Sequence, residues 1–266
     1  MFSKWASGLA WLPRRETSMH RFFVEPGQIS GSTVVISGED FKHITKVLRL
    51  GKDDRIEVCD GLGNDYLIVL DSPTDRTISG YIKSQEPSQG ETPELLITLY
   101  QGLPKGTKME MIIQKGVELG VYEIVPFSSL RAVVQIKDKQ DKKIERWQRI
   151  AYEAAKQSKR GIIPQIGKPL TLAGVLQETD RYDLILLAYE DENRQTLKEA
   201  LTAFEKKQDA DKPLRIAVII GPEGGFDPQE AAACQAAGVI SVSLGKRILR
   251  TETAGMMVLS QLNFWK

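Results

Sequence analysis

The stretch IIGPEGGFD, Ile219–Asp227, follows a continuous apolar run and precedes a sequence that can cap a helix. Its adjacent glycines, Gly224 and Gly225, permit positive φ angles and close approach of another group to the backbone. The loop lacks both the Lys-Ser/Thr pair of a phosphate loop and the GxGxxG spacing of a dinucleotide-binding loop. Because open α/β sheets bind ligands where a strand turns into a helix, the stretch predicts a pocket for a neutral or cationic ligand.

A second loop, Leu244–Ala254, LGKRILRTETA, leaves the next predicted strand with Gly245 at the exit. A third loop, Ala188–Asn193, AYEDEN, follows another predicted strand. Glycine pairs also occur in turns that bind nothing, and Thr and Glu at a helix start can be caps only. Since the carboxyl ends of parallel strands lie at one edge of a sheet, the three loops together predict a three-sided pocket.

Strands and helices alternate in the last two thirds of the chain. Runs such as LRIAVII are continuously apolar, as in strands covered on both faces, so we predict an α/β domain with a mostly parallel sheet. The predicted strands are Leu95–Tyr100, Tyr122–Phe127, Asp183–Tyr189, Leu214–Ile220 and Val239–Leu244. The predicted helices are Thr107–Leu119, Lys142–Gln157, Thr196–Lys206, Pro228–Ala237 and Thr253–Phe264.

The pattern before residue 86 is different. Short β-rich runs separated by Gly, Asp and Asn predict a small β-barrel, and the nearly apolar-free segment Glu86–Glu94 predicts a linker. We therefore divide the chain into a first domain over 19–86, a linker over 87–94 and a second domain over 95–266. Residues 1–18 are expected to be a disordered extension, a transit peptide or the product of a misplaced start, with Met19 as the natural one.

Composition excludes several classes of protein. With 41% hydrophobic and 27% charged residues the chain is typical of soluble globular proteins, and no run approaches the roughly 20 apolar residues of a membrane span. Two distant cysteines, Cys59 and Cys234, fit a reducing cytoplasm, and His20 and His43 are the only histidines, so we predict no metal site.

One segment is strongly basic. Residues 131–160 contain ten Lys or Arg against four Asp or Glu, which suggests contact with a polyanion, although a solvated amphipathic helix has the same composition. Within it an apolar stripe predicts a core-facing side and leaves a basic side free. The stripe consists of Ile144, Trp147, Ile150, Ala151, Ala154 and Ala155, and the basic side of Lys142, Lys143, Arg146 and Arg149.

Six phrases together resemble the bacterial ribosomal RNA small-subunit methyltransferase E family: HRFFV, HITKVLRL, PKGTKMEMIIQKGVELGV, IVPFSSLR, IGPEGGF and LGKRILRTETA. The resemblance extends from Met19 to Lys266. It implies a PUA-like β-barrel followed by a SPOUT-type α/β domain, in which the chain end threads through a loop to form a trefoil knot. It also implies a homodimer that methylates N3 of one uridine in the 16S rRNA of the small ribosomal subunit.

The family binds S-adenosylmethionine in the knot, and a sulfonium cofactor without phosphate explains why the glycine loop has no lysine motif. Carried over, the resemblance implies these cofactor-binding residues: Leu187, Ala188, Tyr189, Glu190, Gly221, Pro222, Glu223, Gly224, Gly225, Leu244, Gly245, Ile248, Leu249 and Arg250. For catalysis we expect Arg250 to stabilise the uracil anion and Glu223 or Glu252 to accept the N3 proton. In the structural alternative, Arg250 and Glu252 only tie down the knot.

Basic residues in both domains are candidates for contacts with RNA phosphates. They are Arg21, Lys46, Arg49, Lys105, Lys108, Lys115, Arg131 and Arg160. The final helix carries an apolar cluster, which predicts a dimer interface or packing within the knot: Met256, Met257, Leu259, Leu262 and Phe264. Two other functions stay open: a related knotted methyltransferase acting on ribose 2′-OH or on transfer RNA, and a catalytically silent RNA-binding assembly factor.

Overall fold

A computed structural model describes residues 19–131, 140–205 and 212–265. The predicted extension, residues 1–18, lies outside the described residues. The chain divides into two compact units. The first runs to Asp60 and resumes over Asp65–Glu86, and the second consists of Gly61–Asn64 and Pro87–Lys266.

The first unit is built on a six-stranded sheet in the order β1-β4-β5-β6-β3-β2. Its side chains alternate between the core and solvent: in β3, Val34 and Ile36 are buried and their neighbours are exposed. A short helix, α1, Gly38–Lys42, continues as a π-helical turn, His43–Val47. The strands are β1 Arg21–Phe23, β2 Ile29–Ser30, β3 Thr33–Ser37, β4 Arg55–Cys59, β5 Asn64–Leu70 and β6 Thr77–Pro87.

The second unit contains a sheet in the order β10-β8-β7-β12-β11-β13, with β9 paired to β8. All of these pairs are parallel, which confirms the predicted α/β class. The strands are β7 Leu95–Gly102, β8 Glu123–Ser128, β9 Gln165–Ile166, β10 Leu170–Thr171, β11 Leu184–Ala188, β12 Leu214–Ile220 and β13 Ile240–Val242. The helices are α2 Lys108–Glu118, α3 Gln140–Gln157, α4 Leu172–Leu176, α5 Leu197–Glu205, α6 Pro228–Ala236 and α7 Thr251–Trp265.

The central strand β12 shows why the apolar runs are continuous. Ile216, Val218 and Ile219 are all fully buried although they point to opposite faces of the sheet. Both faces are therefore covered, as the sequence predicted. The β9, β10 and α4 segments were not predicted, because two-residue strands carry no periodicity.

Helices α2, α3 and α7 pack together on the second unit. The stripe predicted on α3 faces the core, with Trp147, Ala151 and Ala155 buried. The basic side chains of α3 are exposed, and one of them, Arg146, lies 2.8 Å from Glu110 of α2.

The segment predicted as a linker is tied down at Glu91. Its carboxylate accepts hydrogen bonds from Arg160 Nε at 3.1 Å and Nη2 at 2.6 Å, and from the amides of Gly161 at 2.9 Å and Ile162 at 3.0 Å. Within the described ranges no helix has the length and apolar character needed to cross a membrane.

The trefoil knot, in which the chain end would pass through a loop, stays a prediction.

Candidate functional site

A pocket lies where β11, β12 and β13 end. These strands are parallel, so Ala188, Ile220 and Val242 finish at the same edge of the sheet and their three exit loops meet there. The pocket has a volume of about 420 Å³. That volume lies within the roughly 300–1,000 Å³ of small-molecule sites.

Twelve of the fourteen residues predicted to bind the cofactor line this pocket: Ala188, Tyr189, Glu190, Gly221, Pro222, Glu223, Gly225, Leu244, Gly245, Ile248, Leu249 and Arg250. The other two do not. Leu187 is fully buried in the core, and Gly224 lies against Arg131, whose Cβ would be 3.1 Å from a Cβ added at Gly224.

The pocket lining extends beyond the residues named individually for the cofactor. It also contains Ser243 and several residues of the two predicted loops Ile219–Asp227 and Leu244–Ala254: Ile220, Phe226, Lys246, Arg247, Thr251 and Ala254. Sequence reasoning missed Lys108, which it suggested only for RNA. Lys108 begins α2, more than one hundred residues before the glycine loop, so no local spacing connects the two.

The backbone of the loops explains their glycines. Gly225 has φ of 67° and Gly245 has φ of 109°, a region that other residues rarely adopt. At Gly102, the end of β7, an added Cβ would lie 2.5 Å from the nitrogen of Pro222, so only glycine allows this approach. The path of these loops around the pocket therefore requires glycine at these positions.

Glu223 is held by the start of α2. Its carboxylate accepts hydrogen bonds from Lys108 Nζ at 2.8 Å and from the Lys105 amide at 3.1 Å. Burial by itself raises the pKa of Glu223, but the hydrogen bonds from Lys108 and from backbone amides outweigh it and lower the pKa below its ordinary value. The hydrogen bond to Glu223 correspondingly raises the pKa of Lys108. Glu223 is thus ionised and engaged, which disfavours it as a proton acceptor.

Glu252 is in a different environment. It lies in the first turn of α7 with its side chain 12% exposed, and its Oε2 atom is 3.8 Å from Lys108 Nζ. That oxygen is buried and accepts no hydrogen bond from any described residue. Glu252 lies beside Lys108 but is not among the residues that line the pocket.

Arg250 lines the pocket and its side chain is exposed. Among the described residues its guanidinium forms no ion pair, whereas Lys108 is paired. It follows two other exposed basic residues of the same loop, Lys246 and Arg247. This rim is therefore cationic, and Arg250 is free to pair with an anion.

Two predicted RNA contacts are wrong. Arg21 is 8% exposed and its guanidinium pairs with Glu57, at 2.8 Å, and with Asp65. Arg160 is 3% exposed, pairs with Glu91 and donates to the carbonyls of Val117 and Val121. Both side chains are committed to internal partners, because a buried guanidinium needs its charge and donors satisfied.

The remaining basic candidates reach solvent. Lys46 and Arg49 are exposed in the first unit. In the second unit Lys105 is exposed, Lys115 pairs with Glu118 at 2.8 Å, and Arg131 lies 3.4 Å from Asp227. Exposed basic side chains can exchange such partners for phosphates.

No group of three or more His, Cys, Asp or Glu that could hold a metal occurs in the part of the chain that the structure describes.

Comparison with known proteins identifies two sequence families. An RNA methyltransferase domain matches residues 91–263, and an RNA methyltransferase PUA domain matches residues 36–79. The PUA match and the six-stranded sheet confirm the class predicted for the first domain.

Individual proteins are similar over nearly the whole chain. A ribosomal RNA small subunit methyltransferase E from Bacillus subtilis is 35% identical over 250 residues, which cover 92% of this chain and 96% of that protein. The protein of that name from Mesomycoplasma hyopneumoniae is 31% identical, over 91% of this chain and 98% of its own. The crystal structure of the Neisseria gonorrhoeae protein of that name, bound to S-adenosyl methionine, is 29% identical, covers 92% of this chain and 97% of its own, and has a TM-score of 0.77.

These matches confirm the family that the six sequence phrases indicated. The RNA methyltransferase domain accounts for more than half of the chain, and the identity extends across both units. The chain therefore belongs to the RNA methyltransferase family that includes the ribosomal RNA small subunit methyltransferase E proteins.

Proposed function

We propose that this protein transfers a methyl group from S-adenosylmethionine to N3 of one uridine in the 16S rRNA of the small ribosomal subunit. The observation that carries the proposal is the pocket at the ends of β11, β12 and β13, built from backbone-rich loops with a cationic rim. The names of the relatives support a ribosomal RNA substrate, and the ligand of the Neisseria gonorrhoeae protein supports the cofactor.

The pocket is large enough for a small-molecule cofactor such as S-adenosylmethionine. The loops Leu187–Glu190, Gly221–Gly225 and Leu244–Arg250 would hold it, with backbone groups at the strand ends as hydrogen-bond partners for adenine and methionine. Glu190 and Glu223 contribute negative charge to a lining that also contains Lys108, Lys246, Arg247 and Arg250, and these two carboxylates would attract the sulfonium cation. Once bound, the cofactor supplies an electrophilic methyl group on a positively charged sulfur.

We assign proton removal to Glu252. Uracil N3 carries a proton, so the N3–H bond must break when N3 takes the methyl group, whose bond to sulfur would break with its electron pair left on the sulfur. The carboxylate of Glu252, which does not line the pocket, takes that proton through water, while Lys108 Nζ, 3.8 Å from Oε2, balances its charge before transfer. Glu223 instead holds Lys108 and the start of α2 in place.

Arg250 stabilises the negative charge that develops on the uracil ring. Its exposed guanidinium lines the same pocket and precedes Glu252 by two residues. A cation next to a developing anion lowers the barrier because it stabilises the charge as it forms. Bringing the base to this pocket requires it to be unpaired or flipped, at a cost of about a few kcal/mol.

The exposed basic residues then bind the RNA backbone. Lys46, Arg49, Lys105 and Arg131 contact phosphates, which fixes orientation while the pocket selects the base. We further propose that the protein works as a homodimer in the cytoplasm, where the ribosomes of a bacterium are.

The decisive experiment is transfer of a labelled methyl group from S-adenosylmethionine to small ribosomal subunits that lack the modification, followed by mass spectrometry of the digested RNA. We expect N3-methyluridine at a single site. Methylated ribose, or methylation of transfer RNA only, would assign the protein to a different target. RNA binding without any methyl transfer would favour the silent assembly factor.

A further inference from the structure

A chain of three polar groups joins β7, α7 and the loop that follows β12, next to the pocket. Gln101 Nε2 donates a hydrogen bond to Thr251 Oγ1 at 2.8 Å, and Thr251 Oγ1 donates to the Gly221 carbonyl at 2.6 Å. Gly221 and Thr251 line the pocket, while Gln101 is fully buried behind them. A side chain without access to the pocket is therefore connected to one of its loops.

The direction of these hydrogen bonds is determined by chemistry. Gln101 Nε2 also donates to the Gly102 carbonyl at 2.9 Å, and since a carbonyl can only accept, the nitrogen of the amide must face this side. Thr251 Oγ1 is then the acceptor from Gln101. Its single proton is directed to the Gly221 carbonyl, so the three groups have one arrangement.

Packing alone does not explain a glutamine at position 101, because an apolar side chain would fill the same buried space. Burying an amide costs free energy unless it is hydrogen-bonded, and Gln101 Oε1 has no hydrogen-bond partner among the described residues. The neighbouring residues of the strand, Leu99 and Tyr100, are buried as well. The two hydrogen bonds that Gln101 donates are thus what distinguishes it from a leucine at the same position.

The peptide between Gly221 and Pro222 is held on two sides. Thr251 binds its carbonyl oxygen, and Gly102 approaches its nitrogen so closely that an added Cβ would lie 2.5 Å away. This peptide begins the glycine loop, in which the Gly225 amide donates to the Pro222 carbonyl at 3.0 Å. Fixing its first peptide plane fixes the position from which the loop turns into the pocket.

We propose that Gln101 and Thr251 are positioning residues for the cofactor: they orient the Gly221 carbonyl and hold the loop Gly221–Gly225 at a set distance from the start of α7. Their effect is transmitted through the loop. The inference rests on the proposed function for the identity of the ligand, S-adenosylmethionine.

The test compares three variants of the full-length protein. Thr251→Val removes the hydroxyl at nearly constant volume, and Thr251→Ser keeps it. The matched control is Thr98→Val, since Thr98 is a buried threonine of the same strand as Gln101 whose hydroxyl lies 3.3 Å from Glu123, outside the pocket. Isothermal titration with S-adenosylmethionine measures affinity, and thermal unfolding measures stability.

We expect Thr251→Val to weaken S-adenosylmethionine binding about tenfold, because the Gly221 carbonyl and the Gln101 amide both lose a partner. Thr251→Ser and Thr98→Val should stay within about twofold of the wild type, even where Thr98→Val lowers the melting temperature. Wild-type affinity in Thr251→Val would overturn the proposal. So would equal losses in Thr251→Val and Thr251→Ser, which would implicate the methyl group instead of the hydroxyl.

A second readout needs no ligand. Hydrogen exchange of the Gly225 amide should be faster in Thr251→Val than in Thr251→Ser or Thr98→Val, because the loop has lost its anchor. Unchanged exchange would overturn the positioning role. A wild-type protein that fails to bind S-adenosylmethionine would instead refute the proposed function, and exchange would still decide whether the anchor exists.

Discussion

Glu223 and Glu252 both lie near the pocket, but their carboxylates differ in the hydrogen bonds that they accept. Glu223 accepts hydrogen bonds from Lys105 and Lys108, whereas Glu252 Oε2 has no such donor among the described residues. The sequence placed both in candidate loops and left the proton acceptor open. The difference between them depends on Lys108, which folding brings from α2.

The first prediction separates the two carboxylates. Glu252→Gln should lower kcat by about 10²–10⁴-fold, since a positioned base contributes that much, and leave cofactor affinity nearly unchanged. Glu223→Gln should retain a substantial kcat. Methyl transfer to small ribosomal subunits is measured for both variants. A larger loss of kcat in Glu223→Gln than in Glu252→Gln would reverse the assignment.

The second prediction concerns the pH dependence of stability at Glu223. Its pKa is lowered in the folded protein, so its contribution is present above the unfolded-state pKa of about 4.3 and is lost as pH falls through the folded-state pKa. The difference in unfolding free energy between wild type and Glu223→Gln should therefore shrink between pH 7 and pH 3. Urea unfolding at each pH measures it, and a difference that grows on acidification would contradict this account.

The third prediction concerns Cys234. Burial, with a smaller contribution from Glu230, raises the pKa of this thiol to about 11. Because only the thiolate reacts, Cys234 should resist alkylation in the native protein at pH 8 and react fully after unfolding in guanidinium. Peptide mass spectrometry locates the label. Rapid labelling of Cys234 in the native protein would contradict the burial of this residue.

At the scale of elements, the start of α6 shows how a local signal positions the site. Asp227 accepts a hydrogen bond from the Gln229 amide at 3.0 Å, and Glu230 Oε2 accepts from the Asp227 amide at 3.0 Å. This is the capping box that FDPQE predicts. The other oxygen of Glu230 accepts from the Leu130 amide at 2.8 Å, so the cap also holds the chain just after the end of β8.

The fourth prediction tests this cap. Asp227→Ala should lower the free energy of unfolding by about 1 kcal/mol, because the first-turn amide loses its acceptor. Asp227→Ser should restore most of it, since serine caps helices equally well. Urea denaturation measures both variants. Equal stability of the alanine variant and the wild type would show that the cap contributes nothing.

At the scale of the whole molecule, some apolar residues of α7 are buried and others are exposed, although the sequence shows them as one cluster. Val258, Leu259 and Leu262 are buried against the rest of the second unit, whereas Phe264 is 94% exposed. Met256 and Met257 are partly buried. The cluster predicted for either internal packing or a dimer interface thus divides, and its exposed part is the candidate for contact with a second chain.

The fifth prediction concerns this contact. Light scattering at micromolar concentration should give twice the 29.7 kDa of one chain. Phe264→Ser should shift the protein towards the monomer, while Val47→Ser, at a residue of the first unit that is 69% exposed, should not. A wild-type monomer would refute the homodimer. A dimer unaffected by Phe264→Ser would place the interface elsewhere.

Much of the architecture follows from sequence, because strand burial and helix capping depend on neighbouring residues. The predicted strand Leu214–Ile220 has the observed bounds, and α6 begins at the predicted Pro228. The very short elements between α3 and β11 have no such local signal and were missed. Arg21 and Arg160 were predicted to contact RNA but are buried in ion pairs, because the sequence does not distinguish a basic residue that faces solvent from one that faces a carboxylate inside the protein.

What the sequence by itself determined is the class of fold, the family and the three loops that line the pocket, since each depends on contiguous residues. Only the tertiary structure decided which charged side chains are paired inside the protein and which are free to contact a ligand. The partners of Glu223, Arg160 and Thr251 lie 118, 69 and 150 residues away along the chain, and no periodicity or spacing connects residues so distant. The hydrogen bonds of Glu223 and Thr251 exist because a parallel sheet aligns the carboxyl ends of its strands at one edge, where the loops and the first turns of α2 and α7 converge.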